Sequence, residues 1–409
     1  MFSDMVFHAC EIGNVNAVKQ WIKNKSNNIN LINYNGASLL IIACLKDNEK
    51  IIELLLENGA DANIKEPIQE TCKNGNLEMT KLLLKYKADV NKTGREGKTV
   101  LHISCEKRDL TITTLLLENQ ANVNVKTKYG HKTPLHIACA NGDLQLVKML
   151  VERQAEVNQQ DAQGDTPLNL ACKSGNNTKL VEFLLEKGAD LNIKNSYNES
   201  PLQVSINLVN FELSKLLLKN KAEVNVKGTQ GKYPLHFACM YGNLQLVELL
   251  FEYGAEVNVN DSHDNTPFHT ACKYGSCEIA TLLLANHTKI NPRNKNKMTP
   301  LHEACFNDNV PLLKLLLEHQ AEIEAKNDCS RTPLHIASEC GLENMIKTLL
   351  LHQADHLKME GFQRTPLKLA ILKKKFKAAK VLLEHDPSQV FQYNPDLGSL
   401  LHFTLGRTS

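Results

Sequence analysis

One seven-residue phrase dominates this chain. The segment TPLHIAC at residues 133–139 returns with substitutions along the whole sequence, 33 or 34 residues apart except for one gap of 28 residues before Glu66. A fixed period of this size is typical of proteins that stack one small supersecondary element many times. We therefore predict a single repeat domain over residues 1–409, with twelve repeats and a partial thirteenth at 399–409 that either caps the stack or is truncated. The first position of the phrase is held by Asp4, Ser38, Glu66, Thr99, Thr133, Thr166, Ser200, Tyr233, Thr266, Thr299, Thr332, Thr365 and Ser399.

Each repeat has the pattern of two short helices followed by a polar loop. Thr133 can cap a helix with its hydroxyl, and Pro134 then takes the first helical position, where its missing N–H costs nothing. Gly142 is suited to end this helix in the left-handed conformation, and a more apolar helix follows from Leu144. Gly164 lies in the polar stretch after it, which predicts a hairpin-like finger. The repeat thus predicts an all-α solenoid.

The opening phrase, together with endings such as Gly59-Ala60-Asp61 and Gly188-Ala189-Asp190, resembles the ankyrin repeat family over essentially the whole chain. The resemblance implies helix-turn-helix repeats with projecting β-hairpin fingers, and a concave side of first helices and fingers that binds other proteins. It also implies that asparagines at the start of the fingers are substrates of an asparaginyl hydroxylase, although we favour a structural role for them. The candidates for hydroxylation are Asn124, Asn158, Asn225 and Asn258.

Cysteine and histidine are abundant enough to suggest metal or disulfide sites, but the repeat assigns most of them to packing. Nine of the twelve cysteines lie six residues after the first position, so successive copies are separated by one layer, roughly 10 Å. A disulfide needs Cα atoms within about 7 Å. Seven histidines share another position, where an imidazole can bridge backbone groups of adjacent fingers. We expect no metal or cofactor at Cys10, Cys44, Cys72, Cys105, Cys139, Cys172, Cys239, Cys272 and Cys305, or at His102, His136, His236, His269, His302, His335 and His402.

Composition narrows the classes of partner. Lys and Arg number 47 against 45 Asp and Glu, so no global field favours nucleic acid or an anionic membrane. No apolar run approaches the length of a membrane span, and the N-terminus lacks the pattern of a signal peptide. The sequence contains no recognisable nucleotide loop or nucleophile with its base. We expect a monomeric, non-enzymatic, cytoplasmic protein, with the nucleus as a second compartment, that binds proteins and no cofactor.

Two local features of the sequence carry further predictions, the largest departure from the repeat and a run of basic residues. The gap of 28 residues before Glu66 removes about five finger residues and the hydroxyl cap, which predicts a truncated second finger and a weak junction near residues 62–70. The basic run at residues 373–377 is interpreted as the solvated end of a terminal helix, with nuclear import or phosphate binding as the alternative.

Recognition should come from the positions that vary between repeats, which in this family are the residue before the first position and those seven or eight after it. Between residues 232 and 331 these positions carry the aromatic, Met and basic side chains in which binding hot spots are rich. We expect them to be exposed and to bind the partner. The alternative is incidental apolar surface, with Met298 or Phe306 packed against the next finger. The predicted partner-binding residues are Lys232, Met240, Tyr241, Lys273, Tyr274, Met298, Phe306 and Arg331.

The leading hypothesis is an interaction module or scaffold that binds a protein partner on its concave surface. One alternative is the substrate-recruiting or regulatory part of a larger ubiquitin ligase, channel or signalling protein. Another is a membrane-skeleton scaffold or a host-directed effector.

Overall fold

The computed structural model describes residues 2–24, 26–175 and 177–392, so the partial repeat at 399–409 and His402 lie outside the described residues. Each of the twelve repeats contributes two helices. The first helices are α1 (Phe2–Glu11), α3 (Leu39–Leu45), α5 (Pro67–Lys73), α7 (Val100–Lys107), α9 (Pro134–Ala140), α11 (Pro167–Lys173), α13 (Pro201–Asn207), α15 (Pro234–Met240), α17 (Pro267–Tyr274), α19 (Pro300–Ala304), α21 (Pro333–Cys340) and α23 (Pro366–Leu372). The second helices are α2 (Val15–Lys23), α4 (Glu49–Glu57), α6 (Leu77–Lys85), α8 (Leu110–Glu118), α10 (Leu144–Glu152), α12 (Thr178–Glu186), α14 (Phe211–Lys219), α16 (Leu244–Glu252), α18 (Cys277–Ala285), α20 (Val310–Glu318), α22 (Glu343–Leu351) and α24 (Phe376–His385).

The described residues group into two compact units, of which the first holds those of 2–204 with 219–221 and the second holds those of 205–218 and 222–392. In the first unit the first helices from α1 to α11 pack consecutively, and so do the second helices from α2 to α12. In the second unit the same holds for α15 to α23 and for α16 to α24. Each unit is therefore an all-helical repeat solenoid, as predicted, whereas a single domain over the whole chain stays a prediction. No helix within the described ranges is long and apolar enough to cross a membrane.

The fifth repeat shows why these residues form these helices. The hydroxyl of Thr133 accepts the N–H of His136 at the start of α9, and Gly142 has a φ of +69° just beyond its end. The carboxylate of Asp143 then accepts the N–H of Leu146 at 3.1 Å and caps α10. Leu135, Ala138 and Cys139, which form the apolar stripe of α9, are fully buried. Both helices are too short to be stable alone, so burial between layers must stabilise them.

The fingers are tight turns rather than the regular β-hairpins that the family resemblance implies. In the finger after α10 the N–H of Asp161 donates to the carbonyl of Asp165 at 3.0 Å, and only three residues separate the two. The next helix, α11, begins at Pro167, so no strand follows the turn to extend a ladder. The described residues contain only an isolated antiparallel bridge, between Ile32 and Ser38. The fingers are stacked by single backbone bonds, such as the one from Ser196 N–H to the Gln163 carbonyl at 2.9 Å.

The repeated histidine ties each finger to the next. At His136, Nδ1 lies 3.1 Å from the backbone nitrogen of Thr133 and Nε2 lies 3.2 Å from the carbonyl oxygen of Asp165. Because a backbone N–H can only donate, Nδ1 must accept and the proton must lie on Nε2. Burial lowers the pKa of these imidazoles, to about 4 at His302 and His335. The predicted bridging role is confirmed at His102, His136, His236, His269, His302 and His335.

The nine repeated cysteines are buried and free, which confirms their packing role. Burial raises the pKa of these thiols, to about 12 at Cys72 and Cys105. A thiol held protonated is a poor nucleophile and a poor metal ligand. Of the three cysteines outside the register, Cys277 and Cys340 are half-buried and Cys329 is exposed. Across the described part of the chain, no three His, Cys, Asp or Glu side chains are grouped as metal ligands would be.

The short second finger leaves the start of α5 without a cap. Lys65 and Glu66 both adopt positive φ, at +62° and +53°, and the Glu66 side chain accepts no helix N–H. Gln69 takes the register position of the histidine, and its amide donates to the Lys98 carbonyl at 3.2 Å. The truncated finger and the missing hydroxyl cap are thus present, and the weakness of this junction stays a prediction.

Candidate functional site

Six of the eight predicted binding residues lie around two adjoining cavities in the second unit. The first cavity, of about 340 Å³, is lined by residues that include Lys232, Met240, Lys273 and Tyr274. The second, of about 700 Å³, is lined by residues that include Lys273, Met298 and Phe306. The two cavities share Lys273, Asn296 and Glu303. We call the pair of cavities the groove.

The groove is built from the ends of first helices on one side and from fingers on the other. Met240 ends α15 and Tyr274 ends α17, while Phe306 follows α19 in a turn closed by its N–H to the Glu303 carbonyl at 3.2 Å. The amide of Asn307 donates to the carbonyl of Lys273 and links two of these turns. Successive fingers are joined by backbone bonds of 3.0 Å, from residue 262 to 230 and from 295 to 263, and of 3.1 Å from 328 to 296. The walls are therefore held by hydrogen bonds before any partner arrives.

Two aromatic side chains give the groove its apolar exposed surface. Tyr274 is 54% exposed and Phe306 is 50% exposed, although both are large hydrophobic residues. Tyr241 is exposed as predicted, but it lies outside the groove lining, and its hydroxyl donates to Asn207 Oδ1 at 3.4 Å. Tyr274 and Phe306 are thus the aromatic residues that a partner in the groove would cover.

Two of the predicted binding residues are held by the protein itself. Met298 is only 8% exposed, so the expectation of an exposed side chain is wrong there, and its sulfur accepts the amide of Asn327 in the next finger at 3.4 Å. Arg331 pairs with Glu339 at 2.7 Å and with Glu360 at 3.4 Å. The Glu360 side chain is fully buried and is neutralised by Arg364 at 2.6 Å together with Arg331. Arg331 does not line the groove.

Glu303 is the groove residue that the pattern of variable positions does not reveal. It belongs to α19, four residues after the first position of its repeat, and it lines both cavities of the groove. The residue is only 8% exposed, and burial raises the pKa of its carboxyl while the charge of Lys273 opposes this rise. The signal is in the sequence nonetheless, because most other repeats place an apolar residue there. Those residues are Ile42, Ile103, Ile137, Leu170, Val204, Phe237, Ile336 and Leu369.

The remaining acidic residues of the groove already have partners. Asp261 accepts the backbone N–H groups of His263 and Asn265 at 2.8 and 2.9 Å. Asp328 lies 3.2 Å from the ammonium of Lys297. Neither carboxylate therefore offers the unpaired charge that Glu303 offers.

A cavity of about 530 Å³ occupies the same register in the first unit. Its lining includes Lys98, Glu106 and Tyr129, and Lys98 pairs with Glu106 at 2.8 Å and with Glu96 at 3.5 Å. The apolar Ile137 of this lining stands at the register position that Glu303 holds in the groove. The cavity of the first unit and the groove of the second unit thus differ in the charges that line them, although the same repeat backbone builds both.

The four asparagines proposed for hydroxylation bridge successive layers. At Asn124 the amide oxygen accepts the N–H of Glu156 at 2.9 Å, and the amide nitrogen donates to the Gln154 carbonyl at 3.2 Å. Equivalent pairs of bonds are made by Asn158, Asn225 and Asn258. The structural role is therefore present, and hydroxylation stays a prediction.

Comparison with known proteins identifies the repeat along almost the entire chain. A sequence model described as ankyrin repeats (3 copies) matches residues 3–66, 126–195, 202–294, 268–360 and 301–394. A model described as ankyrin repeats (many copies) matches residues 83–138, and one for the single ankyrin repeat matches residues 67–95.

The curated relatives are similar over short stretches. Ankyrin repeat and SAM domain-containing protein 6 of Rattus norvegicus is 31% identical over 104 residues, which is 24% of this chain and 12% of that protein. An ankyrin repeat protein of fowlpox virus (strain NVSL) is 32% identical over 84 residues, or 19% of this chain and 13% of the viral protein. An ankyrin repeat protein of Acanthamoeba polyphaga mimivirus is 34% identical over 68 residues, covering 16% of this chain and 7% of its own length. The matched stretch is thus a small fraction of each relative.

Proposed function

The chain belongs to the ankyrin repeat family, and we propose that it is a non-enzymatic interaction module whose protein partner binds in the groove of the second unit. Ankyrin repeats are generally protein-interaction modules, which supports the class of function. The half-exposed aromatic residues of the groove support our choice of it as the binding surface. Monomeric state and cytoplasmic location stay predictions of the sequence.

The observation that carries the proposal is the pair of half-exposed aromatic residues, Tyr274 and Phe306, beside a groove whose walls are already fixed. Aromatic side chains at the centre of a concave, pre-formed surface contribute strongly to binding because they bury a large area at a small entropic cost. A pre-formed wall also lowers the ordering cost that binding must overcome.

Affinity capture followed by measurement on the purified partner tests this proposal. We expect Tyr274→Ala with Phe306→Ala to weaken binding by at least about 30-fold, which corresponds to roughly 2 kcal/mol. Thermal unfolding should change little, because both side chains are half in solvent before substitution.

Tyr253→Ala is the matched control. Tyr253 follows α16 on the second-helix side of its repeat, is 36% exposed and does not line the groove. This variant should bind the partner as the unaltered chain does. Equal affinity for the groove variant and the control would reject the groove as the binding surface.

A further inference from the structure

Glu303 carries a charge that the second unit leaves unmatched. No hydrogen bond or ion pair joins its carboxylate to any side chain in the described part of the protein, and Lys273, the cation that most influences it, stays beyond ion-pairing distance. Glu303 is only 8% exposed as a residue, and an ionised carboxylate that is largely withdrawn from water without a partner is costly. The third repeat also has an acidic residue at this register position, but there Glu70 pairs with Lys73 at 2.7 Å. Glu303 has no such partner, so the fold gives its charge no stabilising explanation.

Two other buried carboxylates, those of Asp165 and Glu360, are neutralised by cations of the fold. The side chain of Asp165 is 1% exposed and lies 2.6 Å from the ammonium of Lys173. The fully buried Glu360 lies 2.6 Å from Arg364 and 3.4 Å from Arg331. Glu303 differs from both because it lines two open cavities and forms no ion pair, although Lys273 lines the same cavities.

The surroundings of Glu303 select the kind of cation that would fit. Phe306 lines the same 700 Å³ cavity and presents a half-exposed ring. A guanidinium group can make two parallel hydrogen bonds to a carboxylate while its plane stacks on an aromatic ring. An ammonium is more strongly hydrated and makes point contacts, so it matches this pair of neighbours less well.

We propose that the groove receives an arginine side chain from the partner, whose guanidinium pairs with Glu303 and stacks on Phe306. This inference rests on the proposed function, because it assigns the chemistry of the partner segment that lies in the groove. Lys273 is exposed and can turn toward solvent as the arginine enters, whereas Glu303 is held in place by α19. Lys273 and the guanidinium repel each other, so Lys273 lowers the affinity for the arginine. Removal of Lys273 would therefore raise that affinity.

Selection of displayed random dodecapeptides on the full chain tests the inference. We expect the enriched peptides to carry an arginine beside an apolar residue and to lose binding to the Phe306→Ala chain. The best of them is then synthesised with arginine and with citrulline, which keeps the shape of the side chain and removes its charge. Both peptides are titrated against the unaltered chain, Glu303→Gln and Lys273→Ala.

Citrulline should weaken binding to the unaltered chain at least about 30-fold, as expected when one partner of a buried charge pair is removed. With Glu303→Gln the two peptides should bind within about 3-fold of each other, and with Lys273→Ala the arginine peptide should bind several-fold more tightly. Glu303→Gln should fold normally, because it replaces an unpaired buried charge with a neutral isostere, and its melting temperature checks this.

Two results overturn the inference and separate it from the proposed function. Some selected peptides could need Phe306 but lack arginine, carry acidic residues that pair with the lysines of the first cavity, or bind equally well with citrulline. Each of these outcomes would refute the pairing of an arginine with Glu303 and would leave the groove as a binding surface. Failure of every selected peptide to respond to Phe306→Ala would reject both.

Discussion

Acidification should destabilise the second unit through its buried histidines. In the folded state the Nδ1 atoms of His302 and His335 accept backbone N–H bonds at 3.1 and 3.2 Å. Protonation of Nδ1 would place two donors against each other, so the folded state resists it. Burial lowers the pKa of both imidazoles to about 4, against an ordinary value of 6.5.

The direction of the pH effect on stability depends on whether the folded or the unfolded state binds more protons. Between pH 6.5 and 4 the unfolded imidazole is protonated and the folded one is not, so stability falls as the pH falls through this window. The stability that comes from keeping these imidazoles neutral is fully present above pH 6.5 and is lost below pH 4. At pH 5 the two pKa values correspond to a loss of about 2 kcal/mol for each histidine, or roughly 4 kcal/mol for the pair.

A glutamine control isolates this effect from the titration of carboxylates. Gln69 holds the same register position in the third repeat and bridges to the Lys98 carbonyl at 3.2 Å, so the chain itself shows that an amide fits. The double variant His302→Gln with His335→Gln should keep the bridges and lose the titration. Hydrogen exchange of residues 295–340 at pH 7.5 and 5, corrected for intrinsic rates, measures the opening free energy locally and does not require two-state unfolding.

The unaltered chain should lose about 4 kcal/mol more than the double variant between these two pH values. Equal losses, within about 1 kcal/mol, would refute the claim that these imidazoles are buried in the neutral form.

Three further predictions concern single positions. Asn169 takes the histidine register position, but its buried amide nitrogen has no hydrogen-bond partner. Asn169→His should restore the bridge and raise the free energy of unfolding, measured in urea, by about 1 kcal/mol. An unchanged urea midpoint would count against the bridge. Glu303→Ile should raise the thermal midpoint at pH 7, and the gain should shrink on acidification because the raised pKa of Glu303 lets protonation remove the cost; an equal gain at both pH values would contradict this. Residues 62–70 should exchange hydrogen faster than residues 230–270, since two non-glycine residues with positive φ precede an uncapped helix there; equal protection would exclude a weak junction.

The sequence was sufficient for whatever recurs in every repeat. A residue that occupies one register position meets the same neighbours each time, so Cys139 and His136 could be assigned to packing and bridging from their spacing alone. The same reasoning places Pro134 and Gly142 at the two ends of α9. These assignments hold because they depend on the backbone of the repeat, which hardly changes along the chain.

Contacts that occur once could not be predicted in this way. The buried Met298 contacts Asn327 in the next finger, and Arg331 pairs with Glu360, 29 residues later. The register fixes the face on which a side chain lies, but it does not say which partner the following repeat supplies. Glu303 is an intermediate case, because an acidic residue at an apolar register position is visible in the sequence, whereas its unpaired state becomes visible only with the cavities around it.

Site-specific photocross-linking tests the central claim most directly. A benzoylphenylalanine placed at Phe306 lies in the groove, and one placed at Tyr253 on the second-helix side samples an exposed aromatic position of the same unit outside it. With the purified partner and the full chain, we expect a covalent adduct from position 306 and none from position 253. An adduct from position 253 with none from position 306 would contradict it.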